Sequence, residues 1–262
     1  MTHRPPPGAV LQRLVAGPLL VSHALWFDHI GSTNGEVARR AADGAAEGLL
    51  VLADEQVAGR GRQGRSWRAP PGTSLMGSLL LRPPQRLERV ALLPLLAGLA
   101  LAEACTDLAP DADPALKWPN DLLLHGRKAA GILVEAPAPG VVVVGIGVNV
   151  DWRGVERRAD LRGATSLAEA GGGPVDRWRL LPVLMDRLDH HYQRWRSDPV
   201  VFLPAYRERC ATLGRRVRVE QLDGRTEEGM AVAVSDGGAL VVAAADGVTE
   251  LHAGDVHHLR QS

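Results

Sequence analysis

The stretch from Val57 to Arg68, VAGRGRQGRSWR, sets four arginines and three glycines together with no carboxylate among them. Backbone N–H groups bared by Gly59, Gly61 and Gly64, with the guanidinium forks of Arg60, Arg62 and Arg65 between them, suit a polyanion such as a triphosphate. A solvated basic loop would read the same if the stretch stood alone. Trp67 shifts the balance: one of six tryptophans in a chain with 4% aromatics, it sits inside this loop, where a purine could stack on it.

A second cluster is more specific. Lys117-Trp118-Pro119-Asn120-Asp121 is followed by Lys128 and by Gly131-Ile132-Leu133-Val134-Glu135, so two lysines, an amide and a carboxylate fall on adjoining segments. An ammonium there can neutralise a carboxylate attacking a phosphate, while Asp121 could hold a magnesium ion or orient a base. A Lys117–Asp121 surface salt bridge is the plainer alternative. The chain has 28 arginines but two lysines, and both lysines lie in this segment. Where a cation alone is needed the two types interchange, so a retained lysine points to a need for a compact ammonium.

Two further motifs join these. Gly145-Ile146-Gly147-Val148-Asn149 offers glycines that let a ligand approach a strand and an amide able to read a purine edge, or else a tightly packed core strand. Ser32-Thr33-Asn34, with Glu36 three residues after Thr33, reads as a capping box at a helix start. The same three small polar groups could recognise a ureido group or an amide.

The elements that must position these residues follow from periodicity. Strands are expected at 25–29, 49–53, 73–81, 115–118, 122–124, 130–135 and 141–150, and helices from Val37 to about Gly44, at 90–108, 167–170 and 175–196. The glycine-arginine stretch is expected to be a flexible loop, and His125 to Lys128 a turn. From Leu213 the texture changes to short alternating strands with turns at Asp223-Gly224, Asp236-Gly237-Gly238 and Asp246-Gly247, the pattern of a small SH3-like barrel.

Composition sets the outer limits. With 262 residues and 45% hydrophobic side chains the chain can bury a core, and zero net charge leaves no global positive field of the kind non-specific nucleic-acid binders carry. Cys105 and Cys210 show neither metal spacing nor a disulfide framework, which fits a reducing cytoplasm. The proline-rich first twenty residues do not resemble a secretory signal and read as a loose tail. The apolar run from Val90 to Ala104 is too short to span a bilayer.

GRGRQGRSW, KWPND, GRKAAGILVE and GIGVNV, in this order and spacing, resemble the catalytic domain of bacterial biotin protein ligases, over roughly residues 22–262. The resemblance implies an α+β fold, a mixed sheet flanked by helices of the class II synthetase-like kind with a C-terminal SH3-like barrel: tail 1–21, catalytic domain 22–211, C-terminal domain 212–262. It implies that biotin and Mg-ATP give biotinyl-5'-AMP, from which a lysine of a biotin carboxyl carrier protein takes the biotin. By matching motifs, Ser32, Thr33, Asn34, Gln56, Gly59, Arg60, Gly61, Arg62, Lys128 and Gly131 would bind biotin or its adenylate. Arg65, Trp67, Lys117, Asn120 and Asn149 would bind ATP, with Lys128, Arg62 and Asp121 central to catalysis and the loop ordering over the intermediate. The family usually has a further arginine where this chain has Gln63. A lipoate or octanoate ligase shares the chemistry, but its arginine-arginine and serine-glycine signature is missing. A nucleic-acid-binding protein fits the arginine loop but not the Lys117–Asp121 cluster. About two dozen residues before the first strand are too few for a DNA-reading helix-turn-helix. A monomer or weak homodimer, without DNA or membrane partners, is expected.

Overall fold

The computed structural model describes residues 6–17, 20–84, 87–156, 159–245 and 247–259. From the N-terminus the elements are α1 (Gly8–Ala16), β1 (His23–Ile30), α2 (Thr33–Ala42), β2 (Leu49–Gln56), β3 (Ser74–Leu81), α3 (Leu87–Val90), α4 (Leu93–Leu108), β4 (Pro114–Lys117), β5 (Asp121–Leu124), β6 (Arg127–Ala138) and β7 (Val141–Asn149). Then come α5 (Leu167–Ala170), α6 (Arg177–Ser197), α7 (Leu203–Arg209), β8 (Arg216–Glu220), β9 (Thr226–Val234), β10 (Leu240–Ala244), β11 (Gly247–Leu251) and β12 (Asp255–His258).

β1 to β7 form one mixed sheet in the order β1-β2-β3-β7-β6-β5-β4, with β1 and β2 parallel and the remaining neighbours antiparallel. Strand alternation divides the apolar residues between its two faces. In β7, buried along its whole length, Val142, Val144, Ile146 and Val148 face the core built with α4 and α6, while Val141 and Val143 join Val37 and Ala41 of α2. α4 is buried almost all round, as a helix between a sheet and a second helix must be. It starts at Leu93 rather than at Val90, with Pro94 in its first turn, where the missing N–H is not needed.

Three local readings differ from the sequence expectation. Residues 8–16, read as part of a loose tail, form α1: the prolines precede the helix, Pro7 is its N-cap, and Leu14 is buried at 1% exposure where α1 meets α6. α2 is capped by Ser32, whose Oγ accepts from the Gly35 N–H at 3.4 Å, and not by Thr33; Glu36 reaches forward to Arg39 and Arg40. The β5–β6 turn is the two residues His125 and Gly126, both at positive φ as a tight hairpin requires, so Arg127 and Lys128 already belong to β6.

β8 to β12 form the C-terminal antiparallel SH3-like sheet, in the order β11-β10-β9-β8-β12. Gly224 and Gly238 take positive φ in its turns, and Asp246 lies outside the described residues. This unit is joined to the larger sheet through Trp118, whose indole Nε1 donates to the Gly238 carbonyl at 2.9 Å and whose backbone N–H donates to Thr212 Oγ1 at 3.1 Å. An Arg207–Asp236 ion pair at 2.8 Å adds a second tie. Both cysteines are free and buried.

Candidate active site

A cleft opens on the α2 face of the sheet, over the middle of β3, β7 and β6. One end is polar. Thr33, presented by the start of α2, donates its backbone N–H to Gln56 Oε1 at 2.8 Å, with its hydroxyl 3.1 Å from the same oxygen. Asn34 donates from Nδ2 to Glu135 Oε2 at 2.7 Å and to the Leu133 carbonyl at 3.3 Å. Ser78 Oγ, fully buried in β3, lies 2.7 Å from Thr33 Oγ1 and 2.5 Å from Asn34 Oδ1. The result is a fixed set of hydroxyl, amide and carboxylate groups around a small volume, with Leu133 as apolar wall beside it, while the Ile132 and Ile146 side chains face the core on the other side of the sheet.

The other end is cationic and is made by the loop between β2 and β3. The loop is more ordered than its glycines imply: Arg60 pairs with Ser66 across it, and a 3-10 turn runs from Arg62 to Gly64, with Gln63 in the left-handed region at φ 56°. Gly59 does not line the cleft; its carbonyl accepts from the Trp67 N–H at 2.9 Å, and a side chain there would strike the Trp67 carbonyl. Arg60, Gly61, Arg62, Arg65 and Trp67 do line it.

Each of the three arginines already holds an acceptor. Arg60 reaches Glu135 Oε2 at 3.0 Å, Arg65 makes a two-pronged pair with Asp255 at 2.9 and 3.3 Å, and Arg62 donates from one nitrogen to Asn120 Oδ1 at 3.2 Å and the Gly254 carbonyl at 3.3 Å. Burial pulls the Arg62 pKa down, and Asp121 and Asp255 oppose the shift. A guanidinium stays charged under such a shift. It is therefore a partly desolvated cation whose present acceptors are neutral oxygens.

Between the two ends stands Lys128, with Nζ 2.6 Å from Asp121 Oδ1. Its backbone is pinned from the far side, because the Lys128 carbonyl accepts from the Thr165 N–H at 2.9 Å. Lys117 is the cross-strand partner of Asp121 but does not line the cleft; burial lowers its pKa, against the attraction of Asp121 and Asp255. Asp121 thus pairs with Lys128, not with Lys117 as a surface bridge.

The sequence reading makes Gly145 and Gly147 of β7 room for a ligand, and the structure fills that room with the protein's own side chains. Gly131 and Gly147 are register partners, and a Cβ at either would meet the Trp67 indole, at 3.1 and 2.5 Å. A Cβ at Gly145 would overlap the Asn34 carboxamide. Trp67 is thus seated on bare backbone, with its Nε1 buried and without a hydrogen-bond partner among the described residues. Asn149 is not brought to the cleft: it is buried at 2% exposure and donates to the Thr165 carbonyl at 2.9 Å, though its Oδ1 has no partner among the described residues.

A cation would find few ligands here. Among the described residues no three His, Cys, Asp or Glu side chains come together as a metal site. Magnesium commonly takes one or two carboxylates plus substrate phosphates, and Asp121, with one oxygen engaged by Lys128, fits that minimal role.

Sequence reasoning missed Ser78, Glu135 and Asp255 as site residues. Ser78 carried a signal, a polar residue inside the apolar run TSLMGSLLL, and Glu135 closes the GILVE motif. Asp255 carried none, because it is 190 residues from the arginine it holds.

Residues 27–151 match the Biotin/lipoate A/B protein ligase family, and residues 212–259 match the Biotin protein ligase C terminal domain. A biotin–[acetyl-CoA-carboxylase] ligase of Mycobacterium tuberculosis is 38% identical over 234 residues, covering 88% of this chain and 86% of that one. The chain belongs to the biotin protein ligase family. A ligase so named from Paracoccus denitrificans is 37% identical over 80% of this chain and 90% of its own. Among solved structures, the biotin protein ligase of Aquifex aeolicus in complex with biotin and ATP superposes with a TM-score of 0.79 at 27% identity, covering 92% of this chain and all of that one. As a biotin protein ligase this chain is an enzyme, and its cleft lies in the portion matched by the first family. Among the described residues no helix is long and apolar enough to cross a membrane.

Proposed function

We propose that this cleft carries out both halves of biotin ligation: formation of biotinyl-5'-AMP from biotin and ATP, then transfer of biotin to a lysine of a biotin carboxyl carrier protein. The observation that carries the reading is the placement of one compact ammonium, Lys128, between a polar amide-and-hydroxyl pocket and a triplet of loop arginines.

In this reading Thr33, Asn34 and Gln56 bind the ureido ring, with buried Ser78 fixing Thr33 and Asn34, and Leu133 borders the apolar part of biotin. In that pose the carboxylate lies on the Lys128 side of the cleft. A biotin carboxylate oxygen attacks the α-phosphorus of ATP, the P–O bond to pyrophosphate breaks, and a mixed anhydride forms. Repulsion between the attacking carboxylate and the phosphates opposes this step, and a point charge between them lowers it. Arg60, Arg62 and Arg65 exchange their internal acceptors for phosphate oxygens, and Trp67 supports the adenine. Magnesium, where bound with ATP, would supply neutralisation of the pyrophosphate charge, and Asp121 is the carboxylate beside Lys128 that would hold it. In the second half the carrier amine attacks the acyl carbon and AMP leaves; a closed loop keeps water from the anhydride until then.

The test is ATP–pyrophosphate exchange measured with biotin, with lipoate and with no acid, beside gel-shift assays with DNA and RNA. Biotin-dependent exchange is expected. Exchange driven by lipoate alone, or none with either acid, overturns the reading.

A further inference from the structure

Asn34 is a buried amide whose two ends are told apart by their neighbours. It is 4% exposed, and its carboxamide lies against Gly145, where a Cβ would overlap it. One end faces Glu135 Oε2 at 2.7 Å and the Leu133 carbonyl at 3.3 Å; the other faces Ser78 Oγ at 2.5 Å. An ionised carboxylate and a carbonyl can only accept, so the end facing them is the NH2 group, and Oδ1 turns to Ser78. Ser78 has one hydroxyl proton and gives it to Oδ1, so in its 2.7 Å contact with Thr33 Oγ1 it is Thr33 that donates. The Thr33 hydroxyl proton is then committed inwards, and Gln56 Oε1 takes the Thr33 backbone N–H alone. What Thr33 Oγ1 keeps for the cleft is a lone pair.

We propose that Glu135 is a positioning residue for the ureido end of the site. As the nearer of the two acceptors it fixes which way the Asn34 amide points, and through Ser78 it makes Thr33 Oγ1 an acceptor for a ligand N–H. The ligand's identity, a cyclic urea, rests on the proposed function; the direction of the hydrogen-bond chain does not. Asn34, Ser78 and Glu135 stand on α2, β3 and β6, so the chain involves no residue of the glycine-arginine loop. Glu135 does not line the cleft and acts through Asn34. Its service is that of an acceptor, not of a charge. A Glu135 that mattered only as counter-ion to Arg60, whose Nη2 is 3.0 Å from the same oxygen, would lose its function with its charge. One that orients Asn34 keeps it in Glu135→Gln, because the new amide can turn its carbonyl to the Asn34 NH2 group.

Biotin-dependent pyrophosphate exchange tests this with four variants. In Glu135→Leu the KM for biotin should rise about tenfold, the scale of one lost charge-assisted hydrogen bond, with kcat at saturating biotin and the KM for ATP within about twofold of wild type. Glu135→Gln should stay within about threefold of wild type in all three. Asn34→Asp sets two carboxylates face to face and should raise the biotin KM about a hundredfold. Adding Glu135→Gln to Asn34→Asp should recover about tenfold or more, because the new amide donates to the new carboxylate while Ser78 still donates to residue 34. Equal losses in Glu135→Gln and Glu135→Leu overturn the proposal, as does an unchanged biotin KM in Glu135→Leu, an effect on kcat or on the ATP KM as large as that on biotin, or no recovery in the double variant. Thermal melting without substrate repeats the pairing test: Asn34→Asp should melt below the double variant, and any other order counts against the chain. That arm needs no biotin, so a wild type that fails to exchange with biotin overturns the ligase reading while melting still decides the orientation of Asn34.

Discussion

The Trp67 indole and the backbone of Gly147 are in direct apposition: a methyl group at residue 147 would come within 2.5 Å of the ring. Two positions earlier on the same strand, Gly145 stands closer still to the Asn34 carboxamide. The two glycines therefore separate the halves of the cleft. Gly147→Ala should displace the indole and weaken ATP binding while sparing biotin; Gly145→Ala should do the reverse. Overpacking of this kind costs about 1–3 kcal/mol. Trp67→Ala should match Gly147→Ala, since a stacked base is worth roughly 1–3 kcal/mol. Calorimetry with each ligand separately checks this, and equal losses for both ligands in either glycine variant count against the division.

Lys128→Arg keeps the charge but replaces a point ammonium by a planar fork that cannot sit 2.6 Å from Asp121 with the same reach into the cleft. Biotin-dependent pyrophosphate exchange should fall about a hundredfold or more, the scale of losing one preorganised donor, with the melting temperature unchanged. Near-normal exchange would remove Lys128 from the centre of the mechanism.

Arg62 ties the loop to Asn120 and to Gly254. In Arg62→Gly both ties go and backbone freedom rises, so adenylate binding should weaken by roughly 1.5–3 kcal/mol. Released adenylate should then biotinylate lysines of added serum albumin, seen by streptavidin blotting. A variant that forms adenylate, holds it as long as wild type and leaves albumin unlabelled shows that Arg62 is not the retaining group.

His258 supplies a pH prediction. Burial, with Lys117 and Arg215 nearby, lowers its pKa to about 4, and its Nε2 lies 3.2 Å from Thr212 Oγ1, which in turn accepts from the Trp118 N–H. The unfolded chain binds this proton near the ordinary histidine value and the folded one does not. The neutral ring's contribution is present above about pH 6.5 and is lost as the pH falls towards 4, on the order of 2 kcal/mol after allowance for solvent. Urea titrations across that window should show a shallower acid loss in His258→Gln than in wild type; parallel curves would assign the acid sensitivity elsewhere.

What could be read from sequence divides by distance along the chain. β7 announced itself because VVVVGIGVN is apolar on both faces, and α6 because its apolar residues recur at helical spacing. That Arg60, Arg62 and Arg65 sit together at one end of the cleft was legible in the loop's glycines and arginines. Its pairing was not: Glu135 and Asp255 lie 75 and 190 residues from their arginines, and no local pattern encodes such a meeting. The cap of α2 was misplaced by one residue because Ser32 and Thr33 both satisfy the same preference, and Gln56 on a neighbouring strand decides which of them turns inward. Asn149 has the chemistry of a base reader but points its amide at a loop carbonyl, a choice made by the chain between β7 and α5.

The scarcity of lysine has a consequence for the enzyme's survival beside its own product. Biotinyl-AMP acylates primary amines and leaves guanidinium groups untouched, and this chain carries 28 arginines against two lysines. Of those two, one is half-buried beside Asp121 and the other is engaged with it. A reactive anhydride escaping the cleft meets a surface nearly free of nucleophilic side-chain amines, so the catalyst is armoured against self-labelling, and stray biotin lands on its neighbours instead.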